Sequence, residues 1–184
     1  IVNREAHRGI KAVDGVMVAA VFLTLAASGP SWTRAPSPWF AETAPLIVAL
    51  EVTDSMRSND VQPTRLDRAR FKILDLITSR TGARTAIIAY AGSAHIVVPP
   101  STDIDVLKPL IESLDPAVMP IEGNASAAAL PLAIELLGED SARGSLLFVN
   151  DGFADGDLSE LAAFSSAEGN PGVTALVIGT EVGG

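Results

Sequence analysis

Cysteine is absent, histidine occurs twice, and aromatic residues make up 5% of the 184 residues. With no thiol there can be no disulfide, thiolate metal site or cysteine nucleophile, though this says little about compartment, since many periplasmic proteins also lack cysteine. There is no Cys/His zinc cluster. His95 has neither a carboxylate close by in sequence nor a serine in a nucleophile-like turn, so it reads as structural or exposed rather than catalytic. A Gly-x-x-x-x-Gly-Lys-Ser/Thr loop and a Gly-x-Ser-x-Gly elbow are both missing, which removes the commonest nucleotide and acyl-transfer sites. Basic residues are also few: 13 Lys and Arg stand against 22 Asp and Glu, for a net charge of −9. Nucleic-acid binding needs a concentrated basic face, and none is found.

The most informative stretch is Pro45–Met56. Leu46–Leu50 is an apolar run of strand length, followed abruptly by Glu51, Thr53, Asp54 and Ser55, and reads as a buried central strand. In an open parallel sheet, ligands gather beyond the carboxyl ends of the strands. Glu51, Thr53 and Ser55 occupy alternate positions, which in extended chain point the same way. A carboxylate and two hydroxyls aimed at one spot suit a hard cation.

Downstream, Thr64 with Asp67 three positions on marks a helix start, and Leu66, Ala69, Ile73, Leu74 and Ile77 recur at helical spacing until Gly82. Arg65, Arg68, Arg70 and Lys72 alternate with them and read as a solvated face. Asp60 reads as part of a solvated loop. Strands are predicted at Thr85–Ala91, Ala94–Val98, Ser145–Val149 and Val173–Ile178, and helices at Asp103–Leu114, Ala125–Leu137 and Asp157–Ala167. Asp103, Asp105, Asp155 and Asp157 read as helix-start or loop carboxylates. Alternating strands and helices specify a doubly wound α/β sheet.

At the amino end Arg4, Arg8 and Lys11 precede the apolar stretch Gly15–Ala27, with Asp14 at its edge. This stretch is shorter than the roughly 20 residues of a full span. A transmembrane helix, extended by Ile10–Val13 and flanked by Trp32 and Trp39, is the leading reading. A signal peptide cleaved near Leu25-Ala-Ala27 and a buried core helix are the alternatives. Three basic residues before the stretch, against Arg34 soon after, place the amino end in the cytoplasm and the remainder outside it, which in a Gram-negative cell is the periplasm. Residues 31–44, rich in Pro, Ser and Ala, read as an extended linker. The expected organisation is therefore 1–30 for the membrane segment, 31–44 for the linker and 45–184 for a domain that ends before its last elements.

Glu51-Val-Thr-Asp-Ser-Met56 resembles the Asp-x-Ser-x-Ser metal-ion-dependent adhesion motif of von Willebrand factor type A domains. Arg65–Arg70, Ala89–Ser93, Asp115–Gly123 and Leu147–Gly152 follow in the order of the BatB-like bacterial membrane-anchored branch, and the likeness runs from about Ala44 to Gly179. It implies a mostly parallel sheet with one antiparallel edge strand, formed by the Thr85–Val98 hairpin. It also implies a non-enzymatic protein-interaction module at the bacterial inner membrane, associated with a MoxR-type ATPase system. The family's ion is Mg²⁺ or Mn²⁺, with a carboxylate from the protein partner completing its shell. The matching positions are Glu51, Thr53, Ser55, Asn124 and Asp151. Glu51 replaces Asp and adds a methylene, Thr53 replaces Ser, and Asn124 stands where the family has Thr. The site is thus a degenerate one. A metal-free polar cluster, in which Glu51 accepts hydrogen bonds from Thr53, Ser55 and Asn124, is the competing expectation, with a structural scaffold as its function. A hydrolase using Glu51 and Asp151 on a bound metal is a weaker third reading, because no cationic side chain is placed in sequence to hold a phosphate.

Overall fold

β1, Leu46–Glu51, is buried at all six positions because it is paired on both sides and covered on both faces. The computed structural model describes residues 12–27, 44–138 and 144–180, in two units, Ile1–Ala41 and Glu42–Gly184. In the larger unit β1 runs parallel to β2, Thr85–Tyr90, and to β4, Ser145–Asn150. β5, Gly172–Val177, lies parallel beyond β4, and β3, Ala94–Ser101, lies antiparallel on the far side of β2. The order is β3-β2-β1-β4-β5, the mostly parallel sheet with one antiparallel edge strand that the sequence leads one to expect.

Alternation along β1 divides its side chains between two cores. Leu46, Val48 and Leu50 pack with Leu66, Ala69, Ile73 and Ile77 of α2, Arg65–Ser79, and with Leu107 and Ile111 of α3, Ile104–Ser113. Ile47 and Ala49 face Ala129 and Ala133 of α4, Ala129–Leu137, and Leu161 of α5, Asp155–Ser166. Each fully buried aliphatic side chain of this kind contributes about 1.5–3 kcal/mol relative to exposure. Small residues on α4 let it lie close to the sheet. Tyr90 and Phe148 meet edge to face beneath it, 5.8 Å between centroids.

Thr64 caps α2 as expected: its hydroxyl oxygen accepts from the Asp67 amide at 3.0 Å and the hydroxyl donates to the Asp67 carboxylate at 2.8 Å. Some boundaries differ from expectation. β3 continues through Pro99 and Pro100 to Ser101, where its register against β2 is irregular; edge strands and bulges are the places in a sheet that tolerate a missing amide. Pro109 lies inside α3. Residues 126–128 form a 3₁₀ turn before α4, so Pro131 falls at the third position of the α-helix proper, where its missing amide costs nothing. α5 begins at Asp155, two residues earlier than expected.

In the smaller unit α1, Ala12–Ala27, covers the apolar stretch with 16 residues and carries Asp14 in its first turn. Among the described residues no helix is long and apolar enough to cross a membrane. The expected linker lies outside the described residues except for Ala44, as do Trp32 and Trp39.

Candidate metal centre

Glu51 is the last residue of β1 and is fully buried. An ionised carboxylate is poorly solvated there, so burial first, and the negative charge of Asp151 second, push its pKa up to about 7 against the opposing hydrogen bond from Thr53. The Thr53 hydroxyl donates to Glu51 Oε1 at 2.8 Å, and Thr53 Oγ1 and Ser55 Oγ lie 2.8 Å apart. The three residues therefore gather as their spacing predicts, although Ser55 sits in a short 3₁₀ turn, Asp54–Arg57, rather than in extended chain. The Asp151 amide donates to Glu51 Oε2 at 3.3 Å, joining the β4 loop to the same carboxylate.

Glu51, Thr53, Ser55 and Asn124 line a cavity of about 610 Å³. Asn124 Nδ2 points to the Gly152 carbonyl at 3.4 Å, and its Oδ1 is buried with no hydrogen-bond partner. The metal-free cluster therefore differs from the one expected: Glu51 accepts from Thr53, while Ser55 bonds Thr53 and Asn124 turns to Gly152. The loop bearing Asn124 is seated on the β2–β3 turn through Gly92 N to Ile121 O at 3.0 Å and Ala125 N to Ala91 O at 2.7 Å. A Cβ on Gly92 would stand 2.3 Å from the Glu122 carbonyl oxygen, so only glycine allows this approach.

Asp151 follows β4, as expected, but its carboxylate does not line the cavity. Arg65 Nη1 donates to Asp151 Oδ2 at 2.8 Å, with the two side chains only 8% and 10% exposed. Arg65 Nε and Nη2 each bond one oxygen of Asp60, both at 2.8 Å. The hydrogen bond from Arg65 holds the Asp60 pKa down at about 2. Asp60 also accepts from Thr180, beyond β5. Arg65 is thus buried rather than part of a solvated face, while Asp60, in an exposed loop as expected, turns its carboxylate onto it. The helical pattern of α2 places Arg65 one residue before Leu66, at the rim of the buried face, where the β4 loop closes over it.

Two other residues gained roles that sequence reasoning did not assign. Asp157 accepts from the Ser126 amide at 2.7 Å and the Ser126 hydroxyl at 2.6 Å, so it caps the turn leading into α4 instead of its own helix. Arg57, on the cavity wall, bridges Asp54 at 3.1 Å and Asp115 at 2.5 Å. Ser93 and His95 share a 2.8 Å hydrogen bond, exposed to solvent.

Among the described residues no three His, Cys, Asp or Glu side chains gather into a group able to hold a metal. The donors that do converge are hydroxyl, amide and carboxylate oxygens. That set, including an Asn124 Oδ1 with an unused lone pair, fits a hard divalent ion such as Mg²⁺ or Mn²⁺ in kind.

Comparison with known proteins agrees with this architecture. Residues 46–153 match the von Willebrand factor type A domain. The fold is similar to an aerotolerance-related membrane protein from Bacteroides fragilis, at a TM-score of 0.65 and 28% identity over 73% of this chain and 67% of that one. It is likewise similar to BatB from Bacteroides thetaiotaomicron, at 0.63 and 27% over 74% and 66%. A UPF0353 protein from Mycobacterium sp. (strain KMS) is 32% identical over 117 residues, covering 62% of this chain and 34% of that protein. The chain thus spans about a third of the length of the curated relatives it matches. With the sheet order, the strand-end loops and the match over 46–153 in agreement, this chain belongs to the von Willebrand factor type A domain family.

Proposed function

We propose that the chain is a protein-interaction module whose contact is assisted by a divalent cation at the end of β1. The observation that carries this reading is the gathering of Glu51, Thr53, Ser55 and Asn124 on one cavity, with an unpartnered Asn124 Oδ1 among them. Thr53, Ser55 and Asn124 would hold Mg²⁺ or Mn²⁺, with Glu51 and Asp151 as the acidic members of the set. The ion would supply an open position for a carboxylate of the partner protein. The basic residues before α1 and its apolar sequence support an anchor in the bacterial inner membrane with the domain on the periplasmic side. A MoxR-type ATPase system is the partner system that the family resemblance offers. No catalytic role is proposed, because Arg57 and Arg65, the guanidinium groups nearest the cavity and Asp151, are each held by two carboxylates.

A second reading, a metal-independent scaffold, is favoured by the Arg65–Asp151 pair, which already neutralises one member of the set. Thermal unfolding separates the two. At a tenfold excess over its dissociation constant, a bound ion stabilises the folded chain by about 1.4 kcal/mol. Millimolar Mg²⁺ or Mn²⁺ should therefore raise the melting temperature, and Asp151→Ala should abolish the rise. An unchanged melting temperature in both ions would leave the scaffold.

A further inference from the structure

Without Asp151, Arg65 keeps two of its three side-chain hydrogen bonds and one of its two charge partners. Its Nε and Nη2 form a two-pronged pair with Asp60, and Asp60 is itself steadied by the Thr180 amide and hydroxyl at 3.3 and 3.2 Å. Only Nη1 reaches across to Asp151 Oδ2. The guanidinium can therefore give up Asp151 while keeping its place, its charge partner and two of its three side-chain bonds. Asp151 has the complementary freedom, since its second carboxylate oxygen is not engaged by Arg65 and its amide is already tied to Glu51.

We propose that Arg65 is a resident cation of this site: it occupies Asp151 in place of a divalent ion, and the affinity for such an ion is set by competition between the two for that carboxylate. This inference rests on the metal-assisted reading above and adds what limits the ion. The competition is direct, because a guanidinium and a divalent ion need the same lone pairs of Asp151. It is also weakly screened, since both side chains are about nine-tenths buried. Glu51 makes the competition sharper: with its carboxylate buried and partly satisfied by Thr53, Asp151 is the acidic group whose release would add most to the ion's shell. Arg57, although on the cavity wall, takes no part, because its two carboxylates are Asp54 and Asp115.

The test is Mn²⁺ titration of the chain by calorimetry, beside Arg65→Met and Arg57→Met variants shown to be folded by circular dichroism. Freed from one charge-assisted bond, Arg65→Met should bind Mn²⁺ about tenfold more tightly, whereas Arg57→Met should change the constant by less than about threefold. A folded Arg65→Met that binds no more tightly, or an equal gain in Arg57→Met, overturns the proposal while leaving the metal reading in place. Should Arg65→Met not fold, the wild-type chain decides through the nitrogen resonances of its Arg65 guanidinium. Mg²⁺ should shift Nη1 and leave Nε, held by Asp60, nearly still. Mg²⁺ binding elsewhere in the spectrum with Nη1 unmoved overturns the proposal. No uptake of either ion by wild type or variant overturns the metal reading, and this inference with it.

Discussion

Arg57 and Arg65 do the same chemistry in two environments. Each guanidinium bridges two carboxylates, one close in sequence and one far away: Asp54 and Asp115 for Arg57, Asp60 and Asp151 for Arg65. The Arg57 side chain is 50% exposed and that of Arg65 8%. Water can replace either partner of Arg57, so its pairs are worth little. Asp151, 10% exposed, is largely shut off from water, and a buried carboxylate left without its cation is costly. The lesson is that the count of ion pairs says nothing here until burial is known.

The comparison breaks most visibly at Arg65→Ala, which strands the buried Asp151. Chemical denaturation should show a loss of about 3–5 kcal/mol, and a loss below 1 kcal/mol would make the two arginines equivalent. Next comes Glu51, a buried carboxylate with no cation at all. Its pKa of about 7 lies above the ordinary value of 4.5, so the folded chain keeps a proton that the unfolded chain releases. Stability should therefore be greatest below pH 4.5 with respect to this group and fall as pH rises through 7, by about 3 kcal/mol in all. Glu51→Gln should flatten that window in a pH series of unfolding curves. The smallest effect belongs to Arg57→Ala, about 0.2–1 kcal/mol, shrinking further when the same unfolding is repeated in 1 M salt. A loss that persists in high salt would show that Arg57 contributes by packing instead.

Local rules made β1, the Thr64 cap and the Glu51-Thr53-Ser55 cluster legible, because each depends on residues within a few positions of one another. Arg65 was not legible for the opposite reason. Its second partner lies 86 residues away, and beside Arg68, Arg70 and Lys72 it looks like one more surface charge. One signal was available: a cation in the first turn faces the positive end of the helix dipole, an unfavourable place unless carboxylates are at hand. Asn124 could be placed near the site by family order, but its contact with Gly152 depends on how two loops meet, which no periodicity encodes. The role of Asp157 was hidden likewise. A carboxylate at a helix start suggests its own helix, and the helix it caps begins about thirty residues earlier.

The prolines of β3 have a consequence for behaviour at high concentration. A strand at the margin of a sheet is a template on which a second chain can add itself, amide to carbonyl. Neither Pro99 nor Pro100 has an amide to offer, so the end of this strand is poorer in donors. Self-association along this margin would lose donors beyond Val98, on a register already irregular between Thr85 and Ile88 of the strand behind it. A crowded population of these domains is protected at this edge from stacking into continuous sheet, and the protection is covalent.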